Sequence, residues 1–201
     1  SKSTWFRVGG PAEVMFWPAD LDDLITFLQR KPDVVPVTMI GIGSNLMVRD
    51  GGVPGVVIRL GKIFSEFSIN GMKITAGGGL SNLRLANIAR DHGISGFEFL
   101  SGIPGTVGGS IRMNAGAYRF EIKDILQCAT ALDKKGNLKN LSVSELKYSY
   151  RQSNIGEDLI YTGGCFKGSP ATSIEIAGRM TVIQKEREFT QPVKMPTGGS
   201  T

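Results

Sequence analysis

Histidine occurs once and cysteine twice in these 201 residues. The lone His92 stands where a helix is expected to end, so it reads as a cation at a helix C-terminus, not as the base of a Ser-His-Asp relay. Cys128 and Cys165 are 37 positions apart without CxxC spacing, which argues against both a zinc site and a disulfide framework. Both fall in apolar strands and are expected in the core; no metal is expected. No stretch approaches the 18 or more apolar residues of a membrane span, and no basic run of five occurs among the 23 Lys and Arg residues, so neither membrane insertion nor nucleic-acid binding is indicated. The amino end, SKSTWFRVGG, lacks a starting Met and the apolar core of a signal peptide, which implies a cytoplasmic chain with a missing or processed start.

What is abundant is glycine. There are 27, nearly twice ordinary usage, clustered without the three-residue period of collagen, so the backbone must bend sharply or approach a ligand closely. Hydrophobic residues at 41% and charged residues at 20% are ordinary for a soluble chain, and the length suits one large domain or two small lobes. The net charge of +5 suits a ligand rich in phosphate.

The first 60 residues read as a β-α-β-β lobe. Val14 and Phe16 mark a strand stopped by Pro18; Asp20 caps a helix whose Leu21, Leu24, Ile25 and Leu28 share one face; residues 37–41 and 55–60 are strands on either side of a glycine-rich loop, 41–52. Asn70-Gly71 then marks a hairpin between strands 67–69 and 73–76. Ser81 caps a helix carrying Leu83, Leu85, Ile88 and Ala89, closed at His92-Gly93. A second glycine-rich segment, 101–110, is followed by strands at 125–132 and 138–141, a capped turn from Ser142, a strand at 159–166 and a helix over 172–189 that ends in a proline-containing linker. Trp5 and Trp17 read as packing residues.

Two glycine-rich loops could expose backbone N–H groups to phosphate oxygens, or could simply be tight turns. Gly41-Ile-Gly43 lacks the third glycine of GxGxxG, and Gly61-Lys62 is followed by Ile63, so neither a Rossmann nor a P-loop fingerprint is present. Tyr148-Ser-Tyr-Arg-Gln-Ser153 sets an arginine among hydroxyls, a grouping suited to a carboxylate or phosphate, although an exposed strand with a solvated Arg reads the same way.

Six segments in order carry a resemblance: Thr-Trp-Phe-Arg-Val-Gly-Gly-Pro-Ala (4–12), Gly-Ile-Gly-Ser-Asn-Leu (41–46), Ser-Gly-Ile-Pro-Gly-Thr-Val-Gly-Gly (101–109), Met-Asn-Ala-Gly-Ala-Tyr (113–118), Tyr-Ser-Tyr-Arg-Gln-Ser (148–153) and Gln-Pro with Thr-Gly-Gly-Ser (191–200). Together they resemble the UDP-N-acetylenolpyruvoylglucosamine reductase (MurB) family, in its second, shorter class. The resemblance implies an α+β, two-lobed FAD-binding fold of the vanillyl-alcohol-oxidase type, with lobe 1 at 1–62, lobe 2 at 63–191 and, at 192–201, a linker into a C-terminal substrate domain largely absent from this chain. It implies FAD as cofactor, NADPH as hydride donor, a UDP-sugar substrate and a monomer.

For FAD it implies Gly41, Gly43, Ser44, Asn45 and Leu46 as the first phosphate loop, Gly102, Ile103, Pro104, Gly105, Thr106, Gly108 and Gly109 as the second segment, and Asn114, Gly116 and Ala117 beside them. It gives Arg151 the substrate carboxylate, Tyr150 the substrate side, and Ser200 the role of proton donor. A third catalytic residue, a glutamate, would lie beyond Thr201. Arg119 stands where many relatives have Gly after Ala-Tyr, an expected tolerated change. A flavin-dependent oxidase would share the first loop without the Tyr-Arg and Gly-Gly-Ser elements together, and a flavin- or nucleotide-binding module without turnover is the reading from another class.

Overall fold

The computed structural model describes residues 3–155 and 159–191. Three short parallel strands come first: β1 (Ala12–Phe16), β2 (Val37–Ile40) and β3 (Val53–Arg59), in the order β1-β3-β2, with α1 (Leu21–Arg30) between β1 and β2. Because β3 is flanked on both edges, Val56, Val57 and Ile58 are all buried and the strand reads as an unbroken apolar run. The Asp20 carboxylate accepts from the Asp23 N–H at 2.8 Å, opening α1, whose Leu24 and Leu28 pack on Val56 and Ile58. Phe27 meets Phe16 with ring centroids 4.6 Å apart. These elements match the β-α-β-β reading.

The remainder builds a second layer. In chain order it runs β4 (Phe67–Asn70), β5 (Lys73–Gly77), α2 (Asn82–Asp91), β6 (Ile94–Ser95), α3 (Val107–Met113), β7 (Gly116–Ala117), β8 (Phe120–Glu121), α4 (Ile122–Ile125), β9 (Leu126–Leu132), β10 (Leu138–Ser142), α5 (Val143–Leu146), β11 (Ile160–Lys167), β12 (Ser169–Pro170) and α6 (Ser173–Thr190). Five of these strands form one antiparallel sheet in the order β10-β9-β11-β5-β4. Its buried face is paved with small residues: Ala76 on β5, Ala129 and Ala131 on β9, and Gly164 on β11. Helices α2, α3 and α6 cover this floor with Leu85, Ile111, Ile176 and Met180, and Phe97 meets Phe166 edge-on at 6.3 Å. Leu132 and Ile160 of the larger sheet pack into the apolar cluster of the smaller one, so an apolar seam joins the two. The α+β expectation holds.

Several sequence expectations are corrected. Cys128 is exposed and Cys165 half-buried, because both point away from the helix-covered face; they are partners across the β9–β11 ladder and are both free thiols. Trp5 and Trp17 are about half exposed, at 46% and 55%, as is Leu83. At the start of α2 it is Asn82 that turns inward, because its amide has two partners there. Asn70 pairs with Lys73, so the hairpin turns on Gly71-Met72, with a left-handed φ of +57° at Gly71. Gly108 and Gly109, read as loop, lie inside α3.

Between β7 and β8, Tyr118 and Arg119 have φ of +54° and +68°. That pair of left-handed residues is what a two-residue hairpin of this hand requires, and a side chain there costs about 1 kcal/mol. Arg119→Gly is therefore expected to stabilise the protein by about 0.5–1 kcal/mol in a denaturant titration; a loss of stability would show that the Arg119 side chain holds the turn.

Candidate functional site

Helix α3 organises the region where the glycine-rich segments meet. Gly108 has no space for a side chain: a Cβ would come 2.7 Å from the Tyr161 carbonyl oxygen and 3.1 Å from that of Gly78. The first turn of α3 is tied down by bonds from the Val107 N–H to the Leu80 carbonyl at 2.8 Å and from the Gly108 N–H to the Gly78 carbonyl at 2.9 Å. These two helix-terminal donors therefore serve the framework; Gly108 and Gly109 both line the cleft.

The loop after β2 lies against this helix start. A Cβ on Gly41 would come 2.6 Å from Thr106 Oγ1, and the Ser44 hydroxyl donates to the Pro104 carbonyl at 2.7 Å. Gly43 has φ +67°, and a Cβ there would strike the Ser3 carbonyl oxygen at 2.5 Å, while the Trp5 N–H donates to the Gly43 carbonyl. The glycines at 41 and 43 are thus required by loop-to-loop packing. Among the described residues none of the N–H groups from Ile42 to Asn45 donates to a main-chain carbonyl, while Ser44 and Asn45 form a turn that brings the Leu46 N–H toward the Gly43 carbonyl. A row of such donors beside a cleft is what an anionic group needs.

The cleft has a volume of about 720 Å³, in the range of cofactor sites. Gly41, Asn45, Leu46, Thr106, Gly108 and Gly109 line it, together with Gly78, Gly79, Arg112, Met113 and Tyr161. Among the residues put forward from the sequence, Gly43, Ser44, Gly102, Ile103, Pro104 and Gly105 do not line it, and the Ser44–Pro104 bond ties their two segments together. The Asn82 amide donates to the Ile103 carbonyl and accepts from the Ser110 hydroxyl, which fixes the second segment. At Gly102 a Cβ would come 2.6 Å from the Tyr118 ring.

Asn114, Gly116 and Ala117 lie past the other end of α3. Asn114 is fully buried in the left-handed C-cap position, φ +44°. Its amide donates to Glu121 Oε2 at 3.1 Å and to the Ser149 carbonyl at 3.2 Å, and its carbonyl oxygen accepts from the Lys123 N–H at 3.1 Å. The side chain is spent on the framework. Ala117 pairs with Phe120. Gly116 leaves room for Arg151, whose Nη1 would be 3.0 Å from a Cβ at 116.

Tyr150 and Arg151 form the tip of a tight turn closed by bonds between Ser149 and Gln152. Arg151 has φ +56° and its guanidinium lies over the Tyr150 ring, 5.1 Å from the centroid; Tyr150 is 80% exposed. A non-glycine residue held at positive φ with an accessible cation marks a candidate site. The turn hangs from α3 at three points: Tyr148 donates to the Ile111 carbonyl at 2.7 Å, Asn114 holds Ser149, and Arg112 donates to the Ser153 hydroxyl at 3.1 Å. Burial pushes the Tyr148 hydroxyl's pKa up, so it stays a neutral donor. The Glu121 carboxyl is held below its ordinary range chiefly by the Lys123 ammonium, 2.6 Å away, with Asn114 and Arg151 adding to the effect and burial opposing it.

Ser200 lies outside the described residues, as does the 192–201 linker. No group of three or more potential metal ligands occurs among the described residues. The sequence reading passed over Arg112, Gly78, Gly79 and Tyr161. The run Gly77-Gly78-Gly79 was the available signal for the glycines; nothing local distinguishes Arg112 from other helix arginines.

A family model described as FAD binding domain matches residues 12–142. The UDP-N-acetylenolpyruvoylglucosamine reductase of Paramagnetospirillum magneticum is 54% identical over 98% of this chain, and that of Azorhizobium caulinodans 50% identical over 98%. The chain spans 64% of the length of each. Among solved structures, the UDP-N-acetylenolpyruvylglucosamine reductase (MurB) of Thermus caldophilus superposes with a TM-score of 0.83 at 33% identity, covering 94% of this chain and 67% of that one.

Asn114→Ala removes three hydrogen bonds, leaves the Lys123 N–H without its acceptor and puts alanine at a left-handed φ, so it is expected to destabilise by about 2–4 kcal/mol in chemical denaturation. A change under about 0.5 kcal/mol, the range of an ordinary surface substitution, would mean that the turn stands without it.

Proposed function

Since the chain belongs to the UDP-N-acetylenolpyruvoylglucosamine reductase family and carries its FAD binding domain, we propose that the complete protein reduces the enolpyruvyl ether of UDP-N-acetylglucosamine enolpyruvate to UDP-N-acetylmuramate, in peptidoglycan synthesis, at the expense of NADPH. The observation that carries this reading is the spacing built into α3: main-chain donors at 42–45 without a main-chain acceptor beside its start, Arg151 beyond its end, and a cleft along it.

FAD, when bound, supplies the hydride that it has received from NADPH to the terminal carbon of the enolpyruvyl group. The donors of Ile42 to Asn45, with Gly109, are suited to the pyrophosphate, and Gly41, Thr106 and Gly108 shape the wall against it. Gly43, Ser44 and the 102–105 segment hold that wall in register. Negative charge then develops on the carbon next to the substrate carboxylate. The Arg151 guanidinium offers two parallel N–H donors to that carboxylate and stabilises the charge spreading onto it. Its turn is preset by three bonds to α3, so little reorganisation accompanies binding. Tyr150, beside the guanidinium, is exposed to the same side and suits the substrate contact. Ser200 would deliver the proton to the carbanion; a serine hydroxyl is a weak acid, so this depends on position against a strong base. The product gains one hydride and one proton, and NADPH leaves as NADP.

Rapid mixing under anaerobic conditions separates the two half-reactions in the full-length protein. Arg151→Ala is expected to leave NADPH bleaching of the flavin intact while slowing reoxidation by the enolpyruvyl UDP-sugar by two orders of magnitude or more, roughly the effect of losing one transition-state charge partner. Ser200→Ala should show the same split. Unchanged reoxidation in Arg151→Ala, or a wild-type protein that binds no FAD, would overturn the proposal.

A further inference from the structure

Arg112 is a charged residue of the cleft to which the reading above gives no role. Four charged side chains line the cleft. Lys31, Asp33 and Lys134 gather at one end, where the 133–137 turn meets the end of α1; Gly136 packs there against the Ile25 carbonyl. Arg112 stands apart, near the C-terminal end of α3. Six residues separate it from Thr106, about 9 Å of helix from the wall that meets Gly41.

Beyond Arg112, two residues further on, Asn114 grips the turn that carries Arg151. Arg112 therefore lies between the anion-binding loop and the substrate-binding arginine, where the reacting end of the cofactor must be if the loop holds its pyrophosphate. Its Nη1 is fixed by Ser153 Oγ at 3.1 Å, and that buried hydroxyl is 3.4 Å from Tyr161 Oη in the cleft wall. Nε and Nη2 have no hydrogen-bond partner among the described residues, although the residue is only partly exposed. A guanidinium held by one nitrogen and open at the others is a cation aimed at an acceptor.

We propose that Arg112 is the cation that faces the isoalloxazine end of FAD and stabilises the negative charge the ring gains on reduction, so that it sets the flavin's potential. The inference rests on the FAD reading above. A fixed positive charge in a half-buried wall favours the anionic reduced ring over the neutral oxidised one, and charge beside the ring is one of the few means a protein has to tune it. Through Ser153 the same side chain is tied to the Arg151 turn, so the tuning charge and the substrate-binding charge keep a fixed separation.

The test uses the full-length FAD-loaded protein, with Arg112→Gln and Arg112→Lys. Sulfite, which adds to the oxidised ring and leaves it negatively charged, is the probe, alongside the two-electron potential from dye equilibration and the FAD dissociation constant. Arg112→Gln is expected to weaken sulfite binding about tenfold or more and to lower the potential by about 30 mV for each tenfold, with FAD affinity little changed and Lys restoring most of both. Unaltered sulfite binding and potential with a raised KM for the enolpyruvyl substrate would overturn the proposal in favour of a residue that only holds the Arg151 turn. Weakened FAD binding with unaltered potential would overturn it in favour of a pyrophosphate contact. A wild-type protein that takes up no FAD would instead remove the functional reading itself.

Discussion

The contact on which the site depends is the close approach of α3 to the five-stranded sheet. It exists because side chains are missing on both sides: Gly108 lies against the Tyr161 carbonyl, and a Cβ on Gly164 of β11 would come 3.1 Å from Ile111 Cδ1. Ala129 and Ala131 continue the same low floor. Any larger residue would lift the helix and with it everything fastened to its length. The start of α3 meets the 41–46 loop, its last turn holds Arg112, and its left-handed cap holds Ser149 and Glu121. Packing thus becomes a ruler: the distance from anion loop to Arg151 is set by a helix pressed onto a sheet, not by flexible chain.

Ion pairs contribute little to that frame by comparison. Arg90–Asp91 and Lys139–Asp133 are solvent-accessible pairs of the kind that adds about 0–1 kcal/mol. The Glu98 carboxylate differs because it is nearly buried and fully engaged, accepting from the Ser95 hydroxyl, the Gly96 N–H and Arg179 of α6. It pins α6 to the turn below the second glycine-rich segment. Glu121 is the corresponding point at the far end of α3. Its depressed pKa means that its bonds to Lys123 and Asn114 are fully present at neutral pH and are lost only as pH falls through that lowered value.

Much of the frame was legible in the sequence because its signals are local. Caps at Asp20, Ser81 and Ser142 mark three helix starts that the structure reproduces, each with the side chain accepting from the N–H three residues on, and the helix expected from 172 starts at Ser173 with Thr172 as its cap. Glycine clustering located the loops but not the packing that demands glycine in them. Gly41, Gly43, Gly102 and Gly108 are small because protein packs against them, a long-range cause that no window of sequence contains. The same blindness placed Cys128 and Cys165 in the core, since an apolar strand does not say which face is covered. Arg112 was passed over for the converse reason: its meaning comes from Ser153 and from the two ends of a helix, 41 residues and two loops away. The family resemblance supplied Arg151, and the positive φ and α3 tethers give its position a physical basis.

A crystal structure of the protein with FAD tests the account most directly. The pyrophosphate is expected within hydrogen-bond distance of main-chain N–H groups of the 42–46 loop, with the isoalloxazine ring alongside the end of α3, between Arg112 and Arg151. An adenine at that end of α3, or a pyrophosphate away from the 42–46 loop, would contradict it.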